Sequence, residues 1–244
     1  MSLYNDFVDV PMMADKKDKT RLRIYYDASV AGGEVAALGE RAKRVLVLAR
    51  KSLWEAYDFI KQGAQSQAEQ LKLDDGLRYY FAITDGPTRA QDETTIQMTL
   101  VKTLTGLCGN QYYKVGALPS SQGLKVLGSV SYKVPDVKKP SKPYSNVIKL
   151  KPDDADDVAL KDSPHRRMGA IHLLKKTLME DDESEAATTL IHEATHKYTG
   201  TADKFYVTPR FMRQKADLTF EGKSREKALS NADSYAHLVK HLTM

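Results

Sequence analysis

Apolar residues at three- and four-residue spacing run from Val35 to Ile60, while the charged residues between them fall on other faces of the same helix. This pattern predicts one long helix whose apolar face must be buried against other elements. With 244 residues, 41% of them apolar and 28% charged, the chain can supply one well-buried core. We therefore expect a single domain over residues 21–244, preceded by a partly ordered N-terminal arm at 1–20.

Four short segments rich in β-branched and aromatic residues are predicted strands. They are RLRIYY at 21–26, LRYYFAIT at 77–84, SVSYKV at 129–134 and VIKL at 147–150. Further helices are predicted over 95–107 and after Ser163-Pro164, where serine is a favourable N-cap and proline suits the first turn. The apolar face of the latter would carry Met168, Ile171, Leu174 and Leu178. The expected class is α+β, helix-rich with a small, mostly antiparallel sheet.

The charge distribution gives no strong indication of a polyanionic partner. The net charge is +5 and the pI is near 9.0, but the lysines and arginines are spread along the chain and interleaved with acids. We therefore predict no nucleic-acid partner. The acidic stretch at 153–157 lacks the glycine and the terminal glutamate of an EF-hand, so a solvated loop is favoured over a calcium site.

The single cysteine and the N-terminal sequence bear on the compartment. Cys108 has no second cysteine to pair with, which excludes an intramolecular disulfide, and we expect it to be a buried, small apolar residue. The N-terminus lacks the basic start and apolar run of a signal peptide, and no stretch approaches the length of a membrane span. The expectation is synthesis in the cytoplasm without a classical signal peptide, with any secretion depending on a dedicated export system.

The segment AATTLIHEATHKYTG at 186–200 contains the motif that carries chemistry. It is predicted to be a helix, with Asp182 and Glu185 forming a capping box and Gly200 ending it. His192 and His196 form an H-E-x-x-H motif, and residues four apart lie on one face of a helix, so both imidazoles can reach one cation.

Glu193 projects about 100° round the helix from His192, close to a metal-bound water rather than to the metal. Zinc at the two histidines would lower the pKa of that water to roughly 7. Glu193 would take the proton as hydroxide attacks a peptide carbonyl, and later pass it to the leaving amine. The motif therefore predicts zinc-dependent hydrolysis of peptide bonds. His237 and His241 are also four apart, but Leu238 stands where the glutamate would be, and we predict both to be surface residues.

The sequence after the helix supplies a candidate for the third ligand that such a zinc needs. Residues 200–206 read G-T-A-D-K-F-Y, and residues 231–235 read N-A-D-S-Y. H-E-x-x-H followed by G-T-x-D-x-x-Y, with N-A-D-S-Y near the C-terminus, resembles the aspzincin family of deuterolysins and peptidyl-Lys metalloendopeptidases. The resemblance is strong over residues 185–240 and implies a zincin-like fold.

Carried over position by position, the resemblance implies the following roles. His192, His196 and Asp203 would bind a single, mononuclear Zn²⁺, and Glu193 would be the general base. Tyr206 would stabilise the oxyanion, and Asp233 would be the S1′ residue that meets a substrate lysine. Ala236 stands where the lysine-specific enzymes have a second acid, so strict lysine preference is not implied.

The motifs and the resemblance together predict a zinc metalloendopeptidase that acts on protein or peptide substrates. The protease motif, together with the absence of a signal peptide and of disulfides, suggests a bacterial enzyme or toxin-like effector delivered by a dedicated export system. An inhibitor or immunity protein is a further expected class of partner. Two alternatives stay open: a catalytically silent zinc-binding protein-interaction domain, and a zinc amidase acting on cell-wall peptides.

Overall fold

A computed structural model describes residues 6–12, 20–116, 128–130, 170–205, 207 and 225–244. Within these residues the helices are α1 (Val35–Gln62), α2 (Gln67–Phe81), α3 (Arg89–Cys108), α4 (Lys175–Met179), α5 (Glu183–Thr199), α6 (Arg225–Leu229) and α7 (Ala232–Thr243). The strands are β1 (Asp6–Pro11), β2 (Arg21–Tyr26), β3 (Gln111–Gly116), β4 (Gly128–Val130) and β5 (Ile171–Leu174). The predicted α+β, helix-rich class is confirmed.

Helix α1 is the element that the apolar spacing predicted. One face of it is fully buried, and this face includes Leu38, Ala42, Val45, Leu46, Ala49, Leu53 and Ala56. The face packs on α3, on α5 and on α7, so one long helix organises the helical layer. Burying this face is what makes so long a helix stable in water, because helix propensity alone contributes little.

The strands form one mixed sheet in the order β1-β2-β3-β5-β4. The inner pairs β2–β3 and β3–β5 are parallel, and the outer pairs β1–β2 and β4–β5 are antiparallel. The expectation of a mostly antiparallel sheet is therefore wrong. Helices α1, α2 and α3 lie between β2 and β3 in sequence, and such a long crossover is what allows two neighbouring strands to run parallel.

The predicted strand at 77–84 is also wrong, because this segment ends helix α2. The Ser66 hydroxyl accepts a hydrogen bond from the backbone N–H of Glu69 at the start of α2, and Ala82 ends the helix in a left-handed conformation with φ of 57°. Leu73, Leu77, Tyr80 and Phe81 are buried at helical spacing. Tertiary burial therefore overrides the β-rich composition of LRYYF.

Other expectations are corrected in part. Residues 6–11, placed in a partly ordered arm, form β1 against β2. The helix predicted after Ser163-Pro164 is not continuous, because Ile171 and Leu174 lie in β5 and Leu178 lies in α4. Cys108 is exposed rather than buried, since it is the last residue of α3.

Several predicted segments are confirmed, and others lie outside the described residues. The strand at 21–26 is β2, and the helix at 95–107 is the greater part of α3. Of the strand predicted at 129–134, residues 129 and 130 belong to β4 and the rest lie outside the described residues. The predicted strand at 147–150, the acidic stretch at 153–157, and Ser163, Pro164 and Met168 lie outside them too.

Helix α5 is held by its neighbours at its N-terminal end. The Arg41 guanidinium of α1 donates to the backbone carbonyl of Leu178 and to the carboxylate of Glu183, at 3.1 and 2.7 Å. The Lys240 ammonium of α7 donates to the carboxylate of Glu185. These contacts fix α5 between α1 and α7. None of the helices in the described part of the chain combines the length and apolarity needed to cross a bilayer.

Candidate metal centre

The start and end of α5 set the position of its histidines. The Asp182 carboxylate accepts a hydrogen bond of 2.8 Å from the backbone N–H of Ser184, which confirms the predicted N-cap. Its predicted box partner, Glu185, pairs with Lys240 of α7 instead. Gly200 ends the helix in the left-handed conformation with φ of 73°, as predicted.

The face of α5 opposite the histidines is buried in the core. Leu190, Ile191 and Ala194 are fully buried, as the sequence predicted. This anchoring leaves His192 and His196 on the face directed toward α7 and the segment after Gly200. The candidate metal site therefore lies at the edge of the hydrophobic core.

Three side chains meet at this edge. The Nε2 atoms of His192 and His196 are 3.0 Å apart, and Oδ1 of Asp203 lies 2.9 Å from Nε2 of His196. The distance from Nε2 of His192 to Oδ1 of Asp203 is 3.1 Å. Tetrahedral zinc with bonds of about 2.0–2.1 Å would separate neighbouring donor atoms by about 3.3 Å. The three ligand atoms would therefore fit a zinc ion after shifts of a few tenths of an ångström. Among the described residues, His192, His196 and Asp203 form the cluster of three potential ligands that could hold a metal ion.

Both imidazoles have an acceptor behind them. Nδ1 of His196 lies 2.8 Å from the backbone carbonyl oxygen of Thr201, and Nδ1 of His192 lies 3.0 Å from Oδ1 of Asp233. A carbonyl and a carboxylate can only accept, so each Nδ1 carries the proton that it donates. Each Nε2 is then the nitrogen available for a metal, which is the usual arrangement of metal-binding histidines.

The charges within the cluster favour a cation. Burial by itself would lower the pKa of His192, but hydrogen bonds to Asp203 and Asp233 outweigh burial and raise the pKa to about 10. Burial would raise the pKa of Asp203, but its hydrogen bonds to His192 and His196 hold it well below the usual range. The pKa of His196 is lowered, chiefly by burial. In the metal-free protein His192 therefore holds a second proton, and a bound metal ion could supply that positive charge in its place.

The exposure of the three ligands differs, and the difference gives the cluster an open side. The side chain of His196 is only 1% exposed and that of His192 is 13% exposed. The side chain of Asp203 is 41% exposed. Solvent or a substrate can therefore approach on the Asp203 side, while the histidine side is closed by protein.

Glu193 lies beside the cluster and not within it. Its side chain is 6% exposed, and Oε1 is 3.9 Å from Nε2 of His192. Glu193 is not among the three residues whose ligand atoms all lie within 4.8 Å of one another, although it adjoins one of them, His192.

The segment that carries Asp203 is held by the start of α7. The side-chain carbonyl of Asn231 accepts hydrogen bonds from the backbone N–H groups of Lys204 and Phe205, at 2.9 and 3.3 Å. Ala202 pairs with the same region, because its N–H donates to Ser230 and its carbonyl accepts from Ala232, at 2.8 and 3.1 Å. Asn231 thus fixes the third ligand from a distance in sequence. Sequence reasoning missed this role, although the N-A-D-S-Y segment was the signal that could have found it.

The remaining predicted site residues are placed as follows. Tyr206 lies outside the described residues. Asp233 lies in the first turn of α7 and is 8% exposed. Its carboxylate faces His192 and also accepts a hydrogen bond from the backbone N–H of Val207. The structure therefore brings together His192, Glu193, His196, Asp203 and Asp233.

Comparison with known proteins supports this type of fold. No protein-family model matches the sequence, and a search of curated proteins returned no match. Among solved structures, a zinc peptidase from Grifola frondosa is similar, with a TM-score of 0.50 and 13% sequence identity. The similarity covers 86% of this chain and 96% of that one. The chain thus has the fold of a zinc peptidase together with a candidate three-residue metal site.

Proposed function

We propose that this chain is a zinc-dependent metalloendopeptidase of the aspzincin type. The observation that carries the proposal is the convergence of His192, His196 and Asp203, whose three ligand atoms all lie within 4.8 Å of one another, on a zinc-peptidase fold. The backing of each imidazole by an acceptor supports a prepared metal site over a chance cluster of side chains. The H-E-x-x-H and G-T-x-D-x-x-Y motifs add support from the sequence.

In this proposal each residue has one task. His192, His196 and Asp203 hold the ion, and a zinc ion, when bound, would supply Lewis acidity toward water and a peptide carbonyl. Glu193 accepts the proton of the attacking water and then donates it to the leaving amine. Tyr206, by resemblance, donates its phenol hydrogen to the developing oxyanion.

The open side of the cluster supports a catalytic role over a structural one. Structural zinc sites are closed by four protein ligands, whereas catalytic sites keep one position for water or substrate. Among the described residues the cluster offers three ligands, and its Asp203 side is the exposed one. Protein or peptide is the proposed substrate, and export by a dedicated system stays a prediction.

The decisive experiment measures metal content and cleavage of unfolded casein for the wild type and for Glu193→Gln. We expect near-stoichiometric zinc in both proteins and cleavage by the wild type alone. The rate should fall at least about 100-fold in the variant, because the general base is lost while the ligands remain. Glu55→Gln, the same chemical change at an exposed position of α1, is the matched control and should cleave like the wild type.

Other outcomes separate the alternatives. Zinc in both proteins with no cleavage of casein by either would contradict an endopeptidase of broad specificity and favour the binding domain. Cleavage of purified cell-wall peptides but of no protein would favour the amidase. A wild type that binds no zinc would contradict the proposal outright.

A further inference from the structure

The carboxylate of Asp233 is occupied within the protein. Oδ1 lies 3.0 Å from Nδ1 of His192, and the other oxygen, Oδ2, accepts a hydrogen bond from the backbone N–H of Val207. Nε2 of His237, one turn further along α7, lies 3.7 Å from Oδ2. The side chain is 12% exposed. A substrate lysine would have to share this carboxylate with the internal hydrogen bonds that both of its oxygens accept.

The backbone at Asp233 is fixed from several directions. The Asn231 side chain donates to the Ser234 hydroxyl at 3.1 Å while its carbonyl holds the Asp203 segment. The Lys240–Glu185 ion pair joins the later part of α7 to α5. Asp233 also lies in the first turn of α7, where the N–H groups of the helix favour a negative charge. The carboxylate is therefore held in one place relative to His192.

We propose that Asp233 is a positioning residue, which orients the imidazole of His192 for the metal, and not a residue that binds a substrate side chain. The inference rests on the proposed zinc site, but it does not depend on proteolysis. A fixed carboxylate at Nδ1 keeps the proton on that nitrogen, leaves Nε2 for the ion and increases the basicity of the ligand. His196 has the corresponding acceptor in the backbone carbonyl of Thr201, which no side-chain substitution can remove.

This assignment also bears on substrate preference. The residue at position 236 is a fully buried alanine, and the next side chain on α7, His237, is only partly exposed. Asp233 is held by His192 and by the backbone of Val207, and position 236 carries no acid, so neither position supplies a carboxylate dedicated to a basic substrate side chain. We therefore expect cleavage without a requirement for lysine.

Asp233→Asn tests the assignment because it preserves shape and removes charge. An asparagine cannot satisfy both partners as the carboxylate does: its NH₂ would either donate to His192 Nδ1, favouring the wrong tautomer, or face the N–H of Val207, donor against donor. We expect zinc affinity, measured by competition with a chelator, to fall about 10- to 100-fold. Asp75→Asn, the same substitution at an exposed position of α2, is the matched control and should leave zinc affinity unchanged. Equal zinc affinity in Asp233→Asn and the wild type would overturn the inference.

A measurement on the wild type keeps the test valid even where the variant fails to fold. In ¹⁵N spectra of histidines in the zinc-loaded protein, His192 should show a protonated, slowly exchanging Nδ1. An unprotonated Nδ1 would contradict the assignment. If the zinc-loaded wild type cuts no protein, the proposed peptidase function is contradicted but this inference stands. If the wild type cuts protein and Asp233→Asn keeps the zinc affinity of the wild type, the peptidase function stands and this inference is contradicted. A wild type that binds no zinc would overturn both.

Discussion

Two pairs of histidines in this molecule have the same spacing and different surroundings. His192 and His196 are four residues apart on α5, and their Nε2 atoms are 3.0 Å from each other. His237 and His241 are four residues apart on α7, but both rings pack on Tyr80. The ring of His237 is stacked on Tyr80 with centroids 6.1 Å apart, and the ring of His241 meets Tyr80 edge-on with centroids 5.7 Å apart. The second pair therefore packs two helices together.

The contacts of His241 confirm a packing role. Its Nε2 lies 3.0 Å from the backbone carbonyl oxygen of Lys72 in α2. A Cβ added to Gly76 would lie 3.2 Å from Cδ2 of His241, so α2 and α7 approach each other closely there. The sequence predicted both histidines of α7 as surface residues, but the structure has them partly buried at this helix interface.

The difference between the two pairs shows what a metal site requires beyond the four-residue spacing of its histidines. Four-residue spacing places two rings on one face of a helix in both cases. In the α5 pair an acid from outside the helix, Asp203, lies at both Nε2 atoms, and an acceptor lies behind each ring. Convergence of the three ligands, rather than the motif itself, distinguishes the candidate metal centre from a packing contact.

The largest expected effect comes from removing one ligand of the α5 pair. His196→Ala should weaken zinc binding by more than about 100-fold, because loss of a ligand must cost more than loss of an outer-shell partner. Zinc content after gel filtration and chelator competition would measure the change. His241→Ala, the same substitution in the other pair, should keep its zinc. Near-stoichiometric zinc in His196→Ala would remove the distinction between the two pairs.

The parts of the site encoded in one stretch of sequence were the predictable ones. Asp182, the H-E-x-x-H motif and Gly200 lie within 19 residues, and the helix, its cap and the facing imidazoles follow from local rules. Asp203 was found only through the resemblance, since nothing local distinguishes it from other loop acids. The contact between His192 and Asp233 spans 41 residues and depends on how α7 packs against α5.

The errors in the fold have a related physical cause. LRYYFAIT has the composition of a strand, yet Ser66 caps a helix before it and the apolar side chains are buried at helical spacing. Parallel pairing of β2 with β3 requires a crossover through three helices, which composition does not reveal. Local patterns predicted elements with one strong period, such as α1, and failed where the tertiary environment decided.

A smaller effect on zinc affinity is expected from pH, and it should arise from His192 of the α5 pair. Because the pKa of His192 is raised to about 10, the metal-free protein carries an extra proton there at neutral pH. Zinc must displace that proton, so zinc affinity should rise about tenfold per pH unit between about pH 6 and pH 8. Isothermal titration calorimetry in buffers of different ionisation enthalpy should detect release of about one proton per zinc. Binding without proton release would contradict the charge state of the cluster.

The same shift determines the pH dependence of stability in the metal-free protein. A raised pKa stabilises the fold below the unfolded-state value of about 6.5. This stabilisation is lost as the pH rises toward about 10. The melting temperature of the metal-free protein should therefore fall over that range, and the fall should be smaller in His192→Gln. An equal fall in both proteins would assign the dependence to other groups.

The smallest effect is expected from the α7 pair. His241→Ala removes the hydrogen bond to the Lys72 carbonyl and the edge contact with Tyr80, each worth about 0.5–1.5 kcal/mol. Because the imidazole is partly exposed and water can satisfy the carbonyl, we expect a total loss of about 1 kcal/mol in the free energy of unfolding. Urea denaturation of the zinc-loaded protein would measure it, with zinc content unchanged. Loss of zinc at constant stability would place this pair in the metal centre and reverse the comparison, whereas the expected result would confine its role to holding α2 against the helix that carries Asp233.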